Sequence, residues 1–445
     1  MRATERRMKM TDFKAAFYES GLLDERYRKF THPSGLDIYV FPKKMSAKYA
    51  LFGTKYGSVN NSFCVDGSDQ VITVPDGIAH FLEHKLFFNE DGSDSFERFS
   101  DYGADANAYT SFNKTAYLFS CTDNFDKSLT ELIDFVTHPY FTPESVASEI
   151  GIISEEIKMY DDSPGDRCFY GMLEGMYKSH SIRRNICGTE ESISRITAPM
   201  LYDCYRAFYR PDNMMLIVCG DVSAEEVLTI AGERLENFKN PSKQVKFINE
   251  NSLEAPSAYK PYTEQRMQVA KPIFNIGFKD TDISDDPRER QRKDAVMSIL
   301  DEMLFSRAGE LYNSLFDKKL ISPSMSYGYT MSQTFAYHSV AGESDDPRAV
   351  LDEIMAYIGR VRGEGLDKKD FERAKKVMYA EAVKCFDSVE NIANSLFTFV
   401  CEGAEIFECA EIIGSIGFDE VEAAFKQAFD ASTVTLSVVS PITNN

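Results

Sequence analysis

The sequence predicts an α+β protein with two similar domains, each a mostly antiparallel sheet packed with helices. Strand-like and helix-like segments follow one another without the regular strand–helix–strand alternation that is typical of parallel sheets. The two halves also resemble each other: each begins with alternating apolar strands and ends with a helix-like segment, a short polar turn and an apolar strand. A chain of 445 residues accommodates two such domains of about 200 residues each.

The first half predicts strands around a group of helices. Alternating or continuous apolar residues predict strands at residues 35–41, 47–53, 106–121 and 215–219. Helical periodicity predicts helices from residue 78 onward and at residues 129–136, 143–159 and 201–209. Pro75, Asp76 and Gly77 break the chain just before the first of these helices.

A polar segment with three prolines separates the halves. It predicts a linker at residues 241–262, between a first domain at 1–240 and a second at 263–445. In the second domain, apolar patterns predict a strand at 273–278, a helix at 421–429 and a last strand at 434–439.

Charge and apolar content restrict the function classes. Lys and Arg number 49 against 70 Asp and Glu, a net charge of −21, so the surface repels phosphate backbones and nucleic acid is not an expected partner. No apolar run approaches the roughly 20 residues that span a bilayer, so no membrane role is expected. The charged start at residues 1–7 precedes no apolar segment, which predicts a cytoplasmic protein without a signal peptide.

The motif His80-Phe81-Leu82-Glu83-His84 is the strongest chemical signal. On a helix, His80 and His84 are one turn apart on one face, which lets two imidazole nitrogens reach one metal ion. Glu83 borders that face and could contact a metal-bound water without being a ligand. The alternative is an ordinary surface or packed histidine pair, which the apolar neighbours, the preceding Gly77 and the downstream glutamates make less favourable.

A catalytic zinc ion requires a third ligand and an open position. Glu149 and Glu156 are seven residues apart on a predicted helix and share a face. We expect Glu156 to be the ligand and Glu149 to orient a histidine from behind, while Glu155 points about 100° away and is not excluded. The predicted chemistry is hydrolysis through one metal-bound water, with Glu83 as general base.

These motifs resemble the inverted zincins, in particular the insulinase/pitrilysin metallopeptidases of family M16 and their short two-domain branch, which includes processing-peptidase-like proteins. The resemblance is dense over the first half: residues 77–87 match the active-site helix, 103–112 the substrate-pairing edge strand, and 210–214 the turn before the last strand. The second half matches only in overall pattern.

The resemblance implies a zinc peptidase with a LuxS/M16 metallopeptidase-like fold. It implies that zinc ligands are His80, His84 and Glu156, that the general base is Glu83, and that a supporting carboxylate is Glu149. It further implies that extended peptide adds to a sheet edge at Asn107, Ala108 and Thr110. Asn107 is alternatively a turn residue.

One departure from the family pattern concerns an Arg and a Tyr that contact the substrate carbonyl. Phe316 and Pro323 stand where this pair is expected, and neither donates a side-chain hydrogen bond. Arg307, Tyr327 and Tyr329 are nearby, but at other spacings. We therefore expect a homo- or heterodimer in which a related M16-like chain supplies the pair. The alternatives are a non-catalytic M16-fold scaffold that binds peptides and a small-molecule metallohydrolase.

Overall fold

Two compact units make up the protein in the structure, a computed structural model that describes residues 12–65, 71–240, 245–247 and 254–442. The first unit contains the chain up to Ile157 together with Asn185–Ile248 and Cys385–Cys401. The second contains Lys158–Arg184, Asn249–Lys384 and the chain from Glu402 onward. Residues 1–7 and, within the predicted linker, 241–244 and 248–253 lie outside the described residues.

Strands and helices alternate irregularly along the chain. The strands are β1 (Lys14–Ser20), β2 (Glu25–Thr31), β3 (Asp37–Pro42), β4 (Lys48–Thr54), β5 (Ser62–Val65), β6 (Val71–Thr73), β7 (Asp105–Thr110), β8 (Thr115–Cys121), β9 (Met214–Gly220), β10 (Val245–Phe247), β11 (Tyr262–Met267), β12 (Ile273–Asp280), β13 (Ser326–Met331), β14 (Ala336–Glu343) and β15 (Val434–Pro441). The helices are α1 (Ile78–Leu86), α2 (Ser95–Tyr102), α3 (Phe125–Thr137), α4 (Pro143–Asp161), α5 (Pro164–Met176), α6 (Glu190–Ile193), α7 (Ala198–Phe208), α8 (Ala224–Arg234), α9 (Pro287–Phe305), α10 (Glu310–Asp317), α11 (Pro347–Glu364), α12 (Lys368–Lys384), α13 (Val389–Glu402), α14 (Glu408–Ser415) and α15 (Phe418–Gln427). Among the described residues, every helix is too short or too polar to cross a membrane.

The two units share a five-stranded sheet topology. The first has a seven-stranded sheet of order β1-β2-β3-β9-β4-β8-β7 and a small sheet of order β10-β5-β6, and the second a five-stranded sheet of order β11-β15-β12-β14-β13. The segment β3-β9-β4-β8-β7 thus corresponds to the whole second sheet. In both, the first pair is parallel and the remaining pairs are antiparallel. The predicted α+β fold with two similar domains is confirmed.

The predicted strand at residues 106–121 is a hairpin of β7 and β8. Residues 111–114 form the turn, in which the Ser111 N–H donates to the Lys114 carbonyl at 2.8 Å. The apolar alternation is interrupted there by Ser, Asn and Lys, and Ser and Asn favour turns because their side chains bond to nearby backbone. The hairpin places β7 at the edge of the large sheet.

Each unit contains one helix from the other half of the chain: α5 belongs to the second unit and α13 to the first. Helix α5 packs on the second sheet, and two glycines permit the close approach. A Cβ at Gly171 would lie 2.4 Å from Ser437 Oγ, and one at Gly175 would lie 2.2 Å from Thr435 Oγ1. A side chain at either position would therefore clash unless α5 or the side chains of β15 moved.

Helix α13 packs on the first sheet in the same manner. A Cβ at Gly53 would lie 2.3 Å from the Phe397 ring, so the glycine in β4 provides the space for that ring. Asn394 accepts a hydrogen bond from the Tyr109 hydroxyl at 3.1 Å and donates to the Tyr49 hydroxyl at 3.0 Å. Helix α13 therefore supports β4 and the edge strand β7.

A buried ion pair in the second unit gives a stability prediction. Glu254 bonds to Lys279 Nζ at 2.7 Å, each side chain is 1% exposed, and the carboxylate also accepts the N–H groups of Lys178, Ser179 and His180. Lys279→Met leaves that carboxylate without its cation, so we expect the free energy of unfolding to fall by about 3–5 kcal/mol. Urea denaturation followed by circular dichroism measures the change.

The exposed pair between Lys271 and Asp345 supplies the control, because Lys271→Met should lower the free energy of unfolding by less than about 1 kcal/mol.

The same ion pair predicts a dependence of stability on pH. Burial raises the pKa of Glu254, but the bonds from Lys279 and the backbone outweigh this effect and lower the pKa to about 2. Because the folded pKa is depressed, this stabilisation is present above the unfolded pKa of about 4.3 and is lost as pH falls toward 2. Equal stability of the two methionine variants at pH 7 would contradict the prediction.

Candidate metal centre

Helix α1 is buried on nearly all sides, which fixes the side chains of the histidine motif. It begins after Gly77, whose φ of 91° is in the left-handed region and where a Cβ would lie 2.4 Å from the Cys187 carbonyl oxygen. His80 and Glu83 are each 7% exposed. The glycine thus lets the loop that contains Cys187 close over the start of the helix.

Helix α4 carries the second half of the site. At its start, the Ser145 N–H donates to Thr142 Oγ1 at 3.1 Å and the Thr142 N–H donates to Ser145 Oγ at 3.2 Å, a reciprocal cap. Glu149 and Glu156 then lie on the face turned toward α1, as the seven-residue spacing predicts. Glu155 is exposed and is not part of the cluster.

Three potential ligand residues converge between α1 and α4. Glu156 Oε1 lies 3.6 Å from His80 Nε2, and Glu156 Oε2 lies 3.4 Å from His84 Nε2. One atom from each residue lies within 4.8 Å of the other two. Ligand atoms about 2.0–2.1 Å from a tetrahedral zinc ion are separated by about 3.4 Å, so the spacing and the N, N, O donor set fit zinc.

Glu149 lies behind His84 and bonds to the nitrogen that faces away from Glu156. Glu149 Oε1 is 3.2 Å from His84 Nδ1, and Glu149 Oε2 accepts from Lys85 Nζ at 3.1 Å. Burial raises the pKa of Glu149, but the contacts with His84 and Lys85 outweigh it and the pKa is lowered. An ionised Glu149 holds the Nδ1–H tautomer of His84, which leaves Nε2 for a metal.

Glu83 is the buried carboxylate of the cluster and is held by one hydrogen bond. Its Oε2 accepts from Thr110 Oγ1 at 2.9 Å. Burial raises the pKa of Glu83, and the lowering effects of His80, His84 and Thr110 do not cancel it. A carboxylate with a raised pKa is a stronger base, which suits proton abstraction near neutral pH.

The free edge of β7 continues from this cluster. The bond from the Ser111 N–H to the Lys114 carbonyl fixes the hairpin pattern, in which alternate residues of β7 bond to β8. The backbone groups of Ala108 and Thr110 therefore point outward, whereas those of Asn107 point toward β8. Asn107 Oδ1 accepts the outward Ala108 N–H at 2.8 Å, so Asn107 lies within a strand and caps a donor of the free edge.

The comparisons with known proteins agree with this geometry. Residues 68–190 match the model described as Insulinase (Peptidase family M16), and residues 195–378 match the one described as Peptidase M16 inactive domain. A Bacillus subtilis relative named "Uncharacterized zinc protease YmfH" is 38% identical over 92% of this chain and 95% of its own length. The chain belongs to the M16 peptidase family. The family resemblance predicted from the sequence is thus confirmed.

Solved structures place the chain in the same M16 fold. A crystal structure of an M16-like peptidase from Alicyclobacillus acidocaldarius has a TM-score of 0.87 and 30% identity, and covers 98% of this chain and 100% of its own. A protease from Helicobacter pylori has a TM-score of 0.79 at 17% identity, and covers 94% of this chain and 100% of its own. The second likeness shows the shared fold alone.

The hydrogen bonds of His84 predict how zinc binding depends on pH. Burial lowers the pKa of His84, but its bonds to Glu149 and Glu156 raise the pKa to about 10. A zinc ligand must be a neutral imidazole, so zinc has to displace about one proton below pH 10, and its apparent affinity should rise about tenfold per pH unit between pH 6.5 and 8.5. Calorimetric titration in two buffers of different ionisation enthalpy measures the released proton. An affinity that is constant over this range would contradict the prediction.

Sequence reasoning missed two residues of this M16 site. Lys85 follows the motif directly and is 3% exposed, and the signal was a lysine between the motif and the apolar Leu86 and Phe87. Cys187 Sγ lies 3.9 Å from His80 Nε2. The resemblance to related peptidases implies that the loop at residues 185–189 approaches the cleft, but no pattern in the sequence assigns this cysteine to the site. Both residues reach the site through tertiary packing.

Proposed function

We propose that this chain is the zinc-bearing subunit of a metallopeptidase that hydrolyses peptides or small unfolded proteins. The observation that carries the proposal is the convergence of His80, His84 and Glu156 at spacings suited to one zinc ion, beside the buried carboxylate of Glu83. The M16 family match and the relatives named zinc proteases support it.

The residues of the site have separate roles in this proposal. A zinc ion held by His80, His84 and Glu156 would polarise the scissile carbonyl and lower the pKa of its water to about 7. Glu83 takes a proton from the attacking water and passes it to the leaving amine. Glu149 keeps His84 in the tautomer that presents Nε2.

The proposal assigns one zinc ion to the domain at residues 1–240 and none to the domain at 263–445. Among the described residues, His80, His84 and Glu156 are the one group of potential ligands close enough to hold an ion. In the second unit, α9 and α12 follow the strands that correspond to those before α1 and α4. There Glu302 pairs with Arg373, so a cation of the chain already neutralises that carboxylate.

We also propose that the free edge of β7 binds substrate as an added strand. The outward backbone groups of Ala108 and Thr110 support this, because main-chain hydrogen bonds hold an extended peptide with little sequence preference. Thr110 also donates to Glu83, which relates this edge to the general base. The side chain of Asn107 has to release the Ala108 N–H when a peptide carbonyl takes its place.

Ala108→Pro tests the role of this edge. Proline removes the outward N–H without removing a bond to β8, and proline is tolerated on edge strands. We expect KM for an unstructured peptide to rise about fivefold, because one hydrogen bond contributes about 1 kcal/mol to binding. The zinc content should be unchanged. Ala15→Pro, on the opposite edge strand β1, is the matched control. An unchanged KM in a folded Ala108→Pro protein would exclude this binding mode.

Phe316 and Pro323 occupy the positions where the family pattern has an Arg and a Tyr, and this is why we propose a second chain. Phe316 stacks on Tyr312 and has no donor. The hydroxyls of Tyr327 and Tyr329 donate to Glu302 and Asp280, so neither is available as a substitute. In the proposal, a related M16-like chain in a homo- or heterodimer supplies the donors.

Hydrolysis of a quenched fluorescent peptide by the purified chain with one equivalent of zinc tests the proposal. We expect slow turnover that a chelator abolishes and that added zinc restores. Rapid turnover by a chain shown to be monomeric would remove the need for a second chain. Failure to bind zinc would overturn the assignment as a zinc hydrolase.

The second candidate is a non-catalytic M16-fold scaffold that binds peptides. The missing Arg and Tyr favour it, because neither Phe316 nor Pro323 offers a side-chain hydrogen-bond donor to a developing oxyanion. Glu83→Gln separates the two functions. A scaffold should bind peptide equally well before and after this substitution, and neither the wild type nor the variant should show zinc-dependent cleavage.

A further inference from the structure

We infer that Lys85 is a positioning residue that keeps Glu149 behind His84 and thereby leaves the metal position to Glu156. This inference rests on the proposed zinc site. Lys85 belongs to neither the ligand set nor the catalytic pair, and it acts through the carboxylate that it contacts.

Lys85 is an unusually buried ammonium group. Its side chain is 4% exposed and its Nζ lies 3.1 Å from Glu149 Oε2, in a pair whose carboxylate side is 12% exposed. The same nitrogen lies 4.9 Å from the centre of the Phe88 ring, so its remaining surroundings are partly apolar. A charge removed from water to this extent requires its counter-ion, so Glu149 cannot turn away without leaving the ammonium uncompensated.

Glu149 and Glu156 lie on one face of α4 but have different roles in the proposed site, one orienting His84 and the other binding the metal. Both reach His84: Glu149 lies 3.2 Å from Nδ1 and Glu156 lies 3.4 Å from Nε2. Both are carboxylates, so ligand chemistry does not distinguish them. Lys85 does, because it occupies the second oxygen of Glu149 while the first oxygen holds His84.

This arrangement has two consequences for a metal in the site. First, Glu149 is kept from adding a second carboxylate to the ligand set, which preserves an open position. Second, the orientation of the His84 ring is fixed before the metal arrives, because its Nδ1 partner is itself anchored. Outer residues of this kind typically change metal affinity 10- to 100-fold when they are replaced.

The test is zinc affinity, measured by competition with a fluorescent chelator. We expect Lys85→Met to weaken zinc binding about 10- to 100-fold and Lys85→Arg, which keeps a cation for Glu149, to restore most of the affinity. In the Glu149→Gln background, Lys85→Met should have little further effect, because both substitutions break the same contact. Lys85→Gln replaces the Met variant if that protein does not fold.

Lys43→Met is the matched control. Lys43 pairs with Glu25 in the same unit and is partly buried, with its side chain 20% exposed, but it does not contact the metal cluster. The Lys43→Met protein should bind zinc as the wild type does. Wild-type affinity in a folded Lys85→Met protein would overturn the inference while leaving the proposed function intact. If the wild type itself binds no zinc, the proposed function and this inference fail together.

Discussion

Glu83→Gln should lower kcat for peptide hydrolysis by about 10²- to 10⁴-fold while one equivalent of zinc remains bound. A positioned general base contributes about this factor, and the amide of glutamine cannot accept the proton of the attacking water. The substitution preserves shape, so the hydrogen bond from Thr110 can be kept by the amide oxygen. Initial rates with a quenched peptide, together with metal analysis of the same preparation, measure both quantities.

The control for this prediction is Glu90→Gln, at an exposed position just beyond α1, which should leave the rate and the zinc content unchanged. A Glu83→Gln protein that keeps its zinc and hydrolyses peptide at the wild-type rate would exclude Glu83 as general base. Loss of zinc in this variant would instead indicate that Glu83 is a ligand.

Glu156→Gln should weaken zinc binding by more than about 100-fold, because it removes an anionic ligand. Replacement of a residue that contacts a ligand but not the metal weakens binding by at most about 100-fold. In the metal-free protein, hydrogen bonds from His80 and His84 lower the pKa of Glu156, so this carboxylate is ionised and ready to bind a cation at neutral pH. Competition with a chelator of known affinity measures the change.

The adjacent Glu155 provides a matched control on the same helix. It is exposed and outside the converging group, so Glu155→Gln should bind zinc as the wild type does. If Glu155→Gln loses zinc and Glu156→Gln does not, the helix supplies its ligand from the other position. That result would contradict the geometry of α4.

The parts of the site that depend on helix periodicity could be predicted from the sequence. His80 and His84 are one turn apart, and Glu149 and Glu156 two turns apart, so each pair shares a face whatever the tertiary structure. The structure brings these two faces together. The similar pattern of the two halves likewise predicts two units of similar architecture, and the shared five-stranded order agrees with it.

The features that depend on contacts between distant segments could not be predicted in this way. The exchange of α5 and α13 between the units requires close approaches at Gly171, Gly175 and Gly53, and an isolated glycine in a sequence does not reveal what lies against it. The contact between Lys85 and Glu149 joins residues 64 positions apart. Only the packing of α4 against α1 makes this lysine part of the site.

The most direct measurement is a crystal structure of the zinc-loaded protein with anomalous data collected at the zinc edge. The account predicts one strong peak in each chain, about 2.0–2.2 Å from His80 Nε2, His84 Nε2 and a carboxylate oxygen of Glu156, with Glu149 still bonded to His84 Nδ1. A map with no peak between these three residues, or with Glu156 turned away from both imidazoles, would contradict it.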